Sequence, residues 1–299
     1  MDFKQLETLV YVAKYKSFSK AAKELFLTQP TVSNHIQNLE NELGTVLINR
    51  NNKGISLTKS GKILYDYALE IMSIKQKALY SLGEYSGKIE GVIEISSSSI
   101  PSSYIVPEIL KSFSCDFPYV KYILNQCDSH DIIESIIQNN INFGFVGGKV
   151  QSCQIDYIDL IGDELVLIAP YNYKINHQNG YINIEDIKKE KLIMRKEGSS
   201  TRNLIVSQLD KHNISLDSFN IIAHAENSET VKKMVMHGLG VSIISNKAII
   251  DEINFNLLKS YKIKDLNLKR RFYLAYTKTK PFTPLEKKFI DHVIDFFSL

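Results

Sequence analysis

Cysteine is scarce in this sequence. Three occur in 299 residues, Cys115, Cys127 and Cys153, with no Cys-x-x-Cys pair among them. That excludes a disulfide scaffold and argues against a zinc ribbon or a dithiol centre, and it fits a reducing compartment. Buried, inert thiols are expected, with Cys127 and Cys153 as the one conceivable redox pair. No apolar stretch reaches the roughly 18 residues that a membrane span needs. Residues 1–5 show no basic region leading into an apolar run, so a secretory leader is not expected either. Enzyme signatures are also missing: no Gly-x-Ser-x-Gly elbow, no Walker loop and no Gly-x-Gly-x-x-Gly turn. The seven histidines include no His-x-x-x-His pair, so no metal and no cofactor is expected. The expectation is a cytoplasmic protein that is not an enzyme.

What is present is ordinary globular material, 44% hydrophobic and 23% charged. The length suggests two domains or more. Charge is uneven. Residues 1–62 carry nine Lys and Arg against five Asp and Glu, while the whole chain is only +3. A basic end on a near-neutral body suggests a polyanion-binding module joined to something else, although a modest excess is also what a solvated surface carries.

The first sixty residues pattern as a compact helical unit. Leu6, Leu9, Val10 and Ala13 recur at helical spacing over about residues 3–15. Ser17 or Ser19 can cap a short helix from Lys20 to about Leu25, where Ala21 and Ala22 permit close approach. Thr28 is the expected N-cap of a third helix, with Pro30 in its first turn and Gly44 at its end. Val32, Ile36, Leu39 and Leu43 form its inward stripe. The other face holds Pro30, Thr31, Ser33, Asn34, Gln37 and Asn38. Such small, uncharged groups both donate and accept hydrogen bonds, which suits base edges in a major groove; a bland solvated face is the alternative. Two strands follow, about Val46–Arg50 and Ile55–Thr58, joined by Asn51-Asn52-Lys53-Gly54 as a tight hairpin. Arg50, Lys53 and Lys59 are candidates for phosphate contacts.

These residues resemble the helix-turn-helix of LysR-type transcriptional regulators. The likeness runs through Ser17-Phe18-Ser19-Lys20-Ala21-Ala22-Lys23-Glu24-Leu25, Thr28-Gln29-Pro30-Thr31-Val32-Ser33, Leu39-Glu40, Leu43-Gly44, Leu47, Arg50, Leu57-Thr58 and Gly61. The resemblance implies a winged helix-turn-helix whose third helix enters the major groove of double-stranded DNA. It makes Gln29, Pro30, Thr31, Ser33, Asn34 and Gln37 the base-facing set. Two departures stand out: Ile48 where the family usually has Phe, and Asn51-Asn52 where a basic residue is common.

From Thr58 to about Ser86 there is no proline, and Ile63, Tyr67, Ile71, Ile74, Ala78 and Leu82 form a stripe suited to a helix–helix seam. A dimer is expected, since one recognition helix touches few bases; packing on its own domain is the alternative. The resemblance likewise implies a dimerising linker helix and a homodimer or homotetramer. Gly83, Ser86, Gly87 and Gly91 mark a hinge.

Beyond residue 89, strand and helix patterns alternate, which predicts α/β structure with parallel sheets and ligands at strand C-terminal ends. Polar turns fall at two such ends. Ser97, Ser98 and Ser99 precede one helix. Glu197-Gly198-Ser199-Ser200-Thr201-Arg202 precedes another, with Arg195 nearby. Free N–H groups and hydroxyls at a helix start favour an anion, whereas plain N-capping needs no ligand at all. Thr283-Pro284-Leu285-Glu286 is a capping box for a last helix. Phe117-Pro118, the strand end Gly144–Gly148 and Gly238-Leu239-Gly240 resemble landmarks of the same family's effector domain. That domain is two-lobed and like periplasmic solute-binding proteins. The resemblance implies an effector in the cleft, and the turn from Arg195 to Arg202 looks like that of the branch tied to sulfur and selenium metabolism, whose ligands are small oxyanions.

The resulting expectation is an all-α winged helix-turn-helix at residues 1–58, a linker helix at 59–88 and an α/β effector domain at 89–299. Its lobes would be about 89–162 with 267–299, and 163–266. The effector would be an oxyanion or carboxylate held by Ser97, Ser98, Ser99, Gly147, Ser199, Ser200, Thr201 and Arg202. A small-anion-binding α/β enzyme and a cysteine redox sensor are the rival readings.

Overall fold

The computed structural model describes residues 1–51, 54–86 and 89–298. The chain divides into two compact units, Met1–Ile89 and Glu90–Leu299.

The first unit holds α1 (Phe3–Tyr15), α2 (Phe18–Glu24), α3 (Gln29–Leu43), the hairpin β1 (Ile48–Asn51) and β2 (Gly54–Leu57), and α4 (Lys59–Ser86). Each of the first three helices starts at a side-chain cap. Asp2 and Gln5 make a capping box, Ser17 accepts from Lys20 N–H, and Thr28 accepts from Thr31 N–H. These caps satisfy backbone donors that a helix start leaves orphaned. Gly44 ends α3 at φ 64°. Leu9, Val12, Ala21, Val32, Ile36 and Leu39 meet in one core with Leu47 and Ile48. Leu43, expected on that stripe, is 42% exposed: it sits in the last turn of α3, past the reach of the core. The strand begins at Ile48 rather than Val46, because the segment before it is pinned from α3, where Glu40 Oε1 accepts from both Leu47 N–H (2.7 Å) and Ile48 N–H (3.1 Å). The hairpin is antiparallel, with Ile48 opposite Leu57; Asn52 and Lys53 of its expected turn lie outside the described residues. One face of α4 packs Leu64 and Ala68 against Leu6 and Val10. Its opposite face leaves Ile63, Tyr67, Ile74 and Leu82 exposed. Gly87, expected in the hinge, also lies outside the described residues.

The second unit runs β3 (Gly91–Ser97), α5 (Ser99–Tyr104), α6 (Val106–Asp116), β4 (Val120–Gln126), α7 (Ser129–Ile137), β5 (Phe143–Val146) and β6 (Ile155–Pro170). It continues with β7 (Tyr181–Ile182), α8 (Ile184–Ile187), β8 (Lys191–Arg195), α9 (Ser200–Lys211), β9 (Asn220–Ala225), α10 (Ser228–Met236) and β10 (Val241–Ser245). It ends with α11 (Ile250–Asn254), β11 (Leu258–Ile263), β12 (Lys269–Thr277) and α12 (Pro284–Ser298). The expected box at Thr283 and Glu286 forms in both directions.

The strands follow the order β4-β3-β5-β12-β6-β10-β8-β9. Two lobes share this path. β6 pairs with β12 up to Glu164, then with β10 and β11 from Leu165 onward. The chain therefore crosses to the second lobe along β6 and returns along β12. Pairing is parallel within β4-β3-β5 and within β9-β8-β10. It is antiparallel at β5-β12, β12-β6 and β6-β10. The all-parallel expectation is corrected here: the two crossing strands run against the strands they join, so each lobe carries a mixed sheet. The second lobe's core is built from Leu165, Leu167, Ile193-flanking residues Leu192 and Met194, Ile205, Leu209 and Ile243.

Candidate functional site

Two places concentrate the candidate residues. The first is the polar side of α3. Gln29, Pro30, Asn34 and Gln37 are exposed, while Thr31 and Ser33 are half-buried. These side chains partly organise one another. Gln29 Nε2 donates to Ser33 Oγ at 3.0 Å, and the Thr28 and Thr31 hydroxyls lie 2.8 Å apart. His35 Nδ1 lies 2.9 Å from Thr8 Oγ1, which ties α3 to α1 from the inner side. Arg50 stands in β1 and Lys53 lies outside the described residues. The helix thus presents amide and hydroxyl groups with no formal charge from Gln29 to Asn34.

The second place lies between the lobes. The start of α5 (Ser98, Ser99, Ile100), the start of α7 (Asp128, Ser129), the end of β8 (Arg195), the start of α9 (Ser199, Ser200, Thr201) and Phe272 of β12 close around a small pocket. Its free space is about 10 Å³, on the scale of one water. The pocket as it stands excludes an aromatic ring or a sugar. At all three helix starts the N-cap residue, Ser98, Asp128 or Ser199, makes no side-chain cap bond.

Two buried guanidinium groups back this space. Arg195 is 4% exposed; its Nη1 donates to Ser228 Oγ (3.2 Å) and its Nη2 to Glu226 O (2.6 Å). Arg270 donates from Nε to Asp163 Oδ2 at 2.8 Å and from Nη1 to Thr201 Oγ1 (3.2 Å) and Ser200 Oγ (3.4 Å), and it lies over the Phe272 ring. Among the described residues, Arg195 Nε, Arg270 Nη2 and Ser98 Oγ are buried without a hydrogen-bond partner. Burial pulls both arginine pKa values down. Asp163 opposes this at Arg270; at Arg195 Asp128 opposes it and the charge of Arg270 adds to it. Buried polar groups without partners are costly, and two of these three atoms belong to residues that line the pocket, Arg195 and Ser98.

Of the residues expected to hold an effector, Ser98, Ser99, Ser199, Ser200 and Thr201 come together. Gly147 packs behind them: a Cβ there would stand 2.5 Å from Ser200 Oγ and force that hydroxyl to turn aside. Ser97 is fully buried and donates to Ser98 O instead of lining the pocket. Arg202 is turned away, bonding Arg195 O, His224 and Glu197. Arg270, Asp163, Asp128, Ser129 and Phe272 had no place in the expected set. For Arg270 a signal existed: in β12 it shares parity with the inward Phe272 and Leu274, while the run Lys269-Arg270-Arg271 reads as a solvated charge cluster.

A second polar contact joins the lobes. Lys232 is 4% exposed and pairs with Glu252 (2.7 Å) and Glu229 (3.0 Å), and its Nζ donates to Tyr104 Oη at 2.9 Å. Tyr104 in turn donates to Glu229. Burial, then the Glu229 hydrogen bond, pushes the Tyr104 hydroxyl up to about 12.

The cysteine expectation is corrected: Cys115, Cys127 and Cys153 are all exposed. Cys115 lies on the outer side of α6, and Cys127 and Cys153 lie in connecting segments. Partial burial, then Asp131 and Asp128, push the Cys127 thiol up, the opposite of what a reactive thiolate needs. Among the described residues no His, Cys, Asp and Glu group could hold a metal ion, and no helix is long and apolar enough to cross a membrane.

Residues 86–298 match the LysR substrate binding domain, and residues 3–62 match the bacterial regulatory helix-turn-helix of the lysR family. An uncharacterized HTH-type transcriptional regulator of Methanocaldococcus jannaschii is 32% identical over 269 residues, covering 90% of each chain. Full-length CbnR complexed with its target DNA has the same fold, with a TM-score of 0.62 at 21% identity over 98% of this chain and 99% of that one. The regulatory domain of Synechocystis PCC6803 CcmR in complex with 2-PG matches 70% of this chain and 98% of its own, with a TM-score of 0.63 at 21% identity. The uncharged face of α3, the two-lobed unit with its buried cationic pocket and these matches agree: the chain belongs to the LysR family of DNA-binding transcriptional regulators, with a helix-turn-helix followed by an effector-binding domain.

Proposed function

We propose that this regulator responds to a small oxyanion or carboxylate held between the lobes by Ser98, Ser99, Ser199, Ser200, Thr201, Arg195 and Arg270. The observation that carries the reading is the set of buried donors without acceptors at Arg195, Arg270 and Ser98. A compact anion would satisfy them, and slight parting of the lobes would admit it. The CcmR regulatory domain, which has the same fold, is in complex with a small molecule, 2-PG. Gln29, Pro30, Thr31, Ser33, Asn34 and Gln37 then read base edges, while Arg50 and Lys53 meet phosphates. The exposed stripe Ile63, Tyr67, Ile74 and Leu82 serves as the seam of a homodimer or homotetramer, which places two such helices on one operator. In this reading the chain divides into a DNA-binding segment (1–58), a linker (59–88) and lobes exchanging near 163 and 267; the span of α4 and the crossings at β6 and β12 support that division. Cytoplasmic action without catalysis completes the reading. Effector binding shifts a population between two arrangements of the oligomer.

Thermal unfolding of the full chain with sulfate, sulfite, thiosulfate and phosphate tests this. At least one anion raises the Tm, as ligand binding to the native state requires, with no turnover. The shift is lost in Thr201→Ala. A panel without any shift, or an undiminished shift in Thr201→Ala, contradicts the proposal.

A further inference from the structure

Every polar group at the pocket save one can donate to an anion. Ser98, Ser99, Ser129, Ser199, Ser200 and Thr201 bring hydroxyls, and Arg195 brings a buried Nε–H. The exception is Asp128. It stands at the N-cap of α7 and leaves the helix uncapped by its side chain. Asp128 lines the pocket, and its side chain is only 18% exposed, with Oδ2 3.2 Å from Lys196 Nζ across the lobes. An ionised carboxylate only accepts hydrogen bonds. Resting on the anion-pocket reading above, we infer that Asp128 makes this pocket select oxyanions that carry a proton of their own, such as hydrogenphosphate, over fully deprotonated ones such as sulfate.

The argument is one of matched groups. A sulfate oxygen facing Asp128 meets a second acceptor with like charge, and neither supplies a proton. A hydrogenphosphate turns its O–H toward Asp128 in a charge-assisted hydrogen bond and its remaining oxygens toward Arg195, Arg270 and the hydroxyls. The two ions are nearly the same size and shape, so the narrow pocket cannot tell them apart by volume. Hydrogenphosphate and sulfate are both dianions, so net charge does not tell them apart either, and the discrimination falls to the one acceptor, Asp128. Rejecting the wrong ion by an unpaired acceptor is a general route to specificity.

Titration calorimetry of the full chain near neutral pH, with inorganic phosphate and with sulfate, decides this. Phosphate binds at least about tenfold tighter than sulfate, in line with the usual strength of a charged hydrogen bond. In Asp128→Asn that ratio falls severalfold, because an amide can also donate. Asn keeps the cap position of α7, and Lys196 retains Glu226 at 3.4 Å, so the fold should survive. Equal affinity for both ions in the parent chain, or a ratio unmoved by Asp128→Asn, overturns the inference while leaving an anion site in place. Binding of neither ion overturns the pocket reading and the inference together. Arsenate against selenate repeats the comparison in the parent chain alone, and a preference for selenate also overturns it.

Discussion

The polar side of α3 and the pocket between the lobes are the two proposed binding surfaces, yet they are built in opposite ways. On α3 the groups are neutral, wet and already engaged with one another, as in the bond from Gln29 to Ser33. Nothing there needs a ligand to be stable, so binding gains come from matching a pattern of donors and acceptors. In the pocket the groups are charged, dry and short of acceptors, at Arg195 and Arg270 above all. On the proposed reading, a ligand there would complete the fold. The exposed face is therefore expected to discriminate among sequences at little cost to stability, and the buried one to couple ligand binding directly to stability.

Breaking the pocket's support should have the largest effect. Asp163 and Arg270 form an ion pair with side chains 0% and 6% exposed. Asp163→Asn leaves a buried guanidinium without its counter-charge, a change that typically destabilises by about 3–5 kcal/mol. Denaturant unfolding of the variant should show that loss, partly restored by a bound anion; an unchanged midpoint would mean that water reaches Arg270. Next comes the support beneath the polar face of α3. Ile36 is fully buried in the core of the first unit, and Ile36→Ala should destabilise that unit by about 2–5 kcal/mol. DNA binding then falls with helix content while the anion-induced Tm shift of the second unit persists. Loss of both together would show that the two units melt as one.

The legibility of these regions in the sequence differs for the same physical reason. The helical unit was readable almost residue by residue, because its signals are local: Ser17 and Thr28 as caps, Pro30 in a first turn, Gly44 at a left-handed end, and a stripe through Val32, Ile36 and Leu39. The pocket was half readable. Ser98 and the turn from Ser199 to Thr201 betray themselves as polar groups at helix starts. Arg270 arrives from a strand about 70 residues later in the chain than Ser200, and no local pattern joins them. Arg202 and Ser97 had the right chemistry in the right stretch, but helix phase and strand parity turned each away. Exposure of the cysteines was equally invisible, since a thiol's burial tendency is only a preference. The family resemblance implied lobe boundaries near 163 and 267, but the antiparallel direction of β6 and β12 escaped, because antiparallel partners can be distant in the chain and still look like any other strand.

The claim on which the account rests is that α3 reads bases with its uncharged side. The direct measurement is the affinity of Ser33→Ala and Gln29→Ala for an operator selected from random-sequence duplexes and for an unselected duplex, across a salt series. Both variants should lose about tenfold on the operator, within the usual worth of a specific base contact. Binding to unselected DNA and the salt slope, which report phosphate contacts, should not change. Equal losses on both duplexes, or none on either, would contradict it.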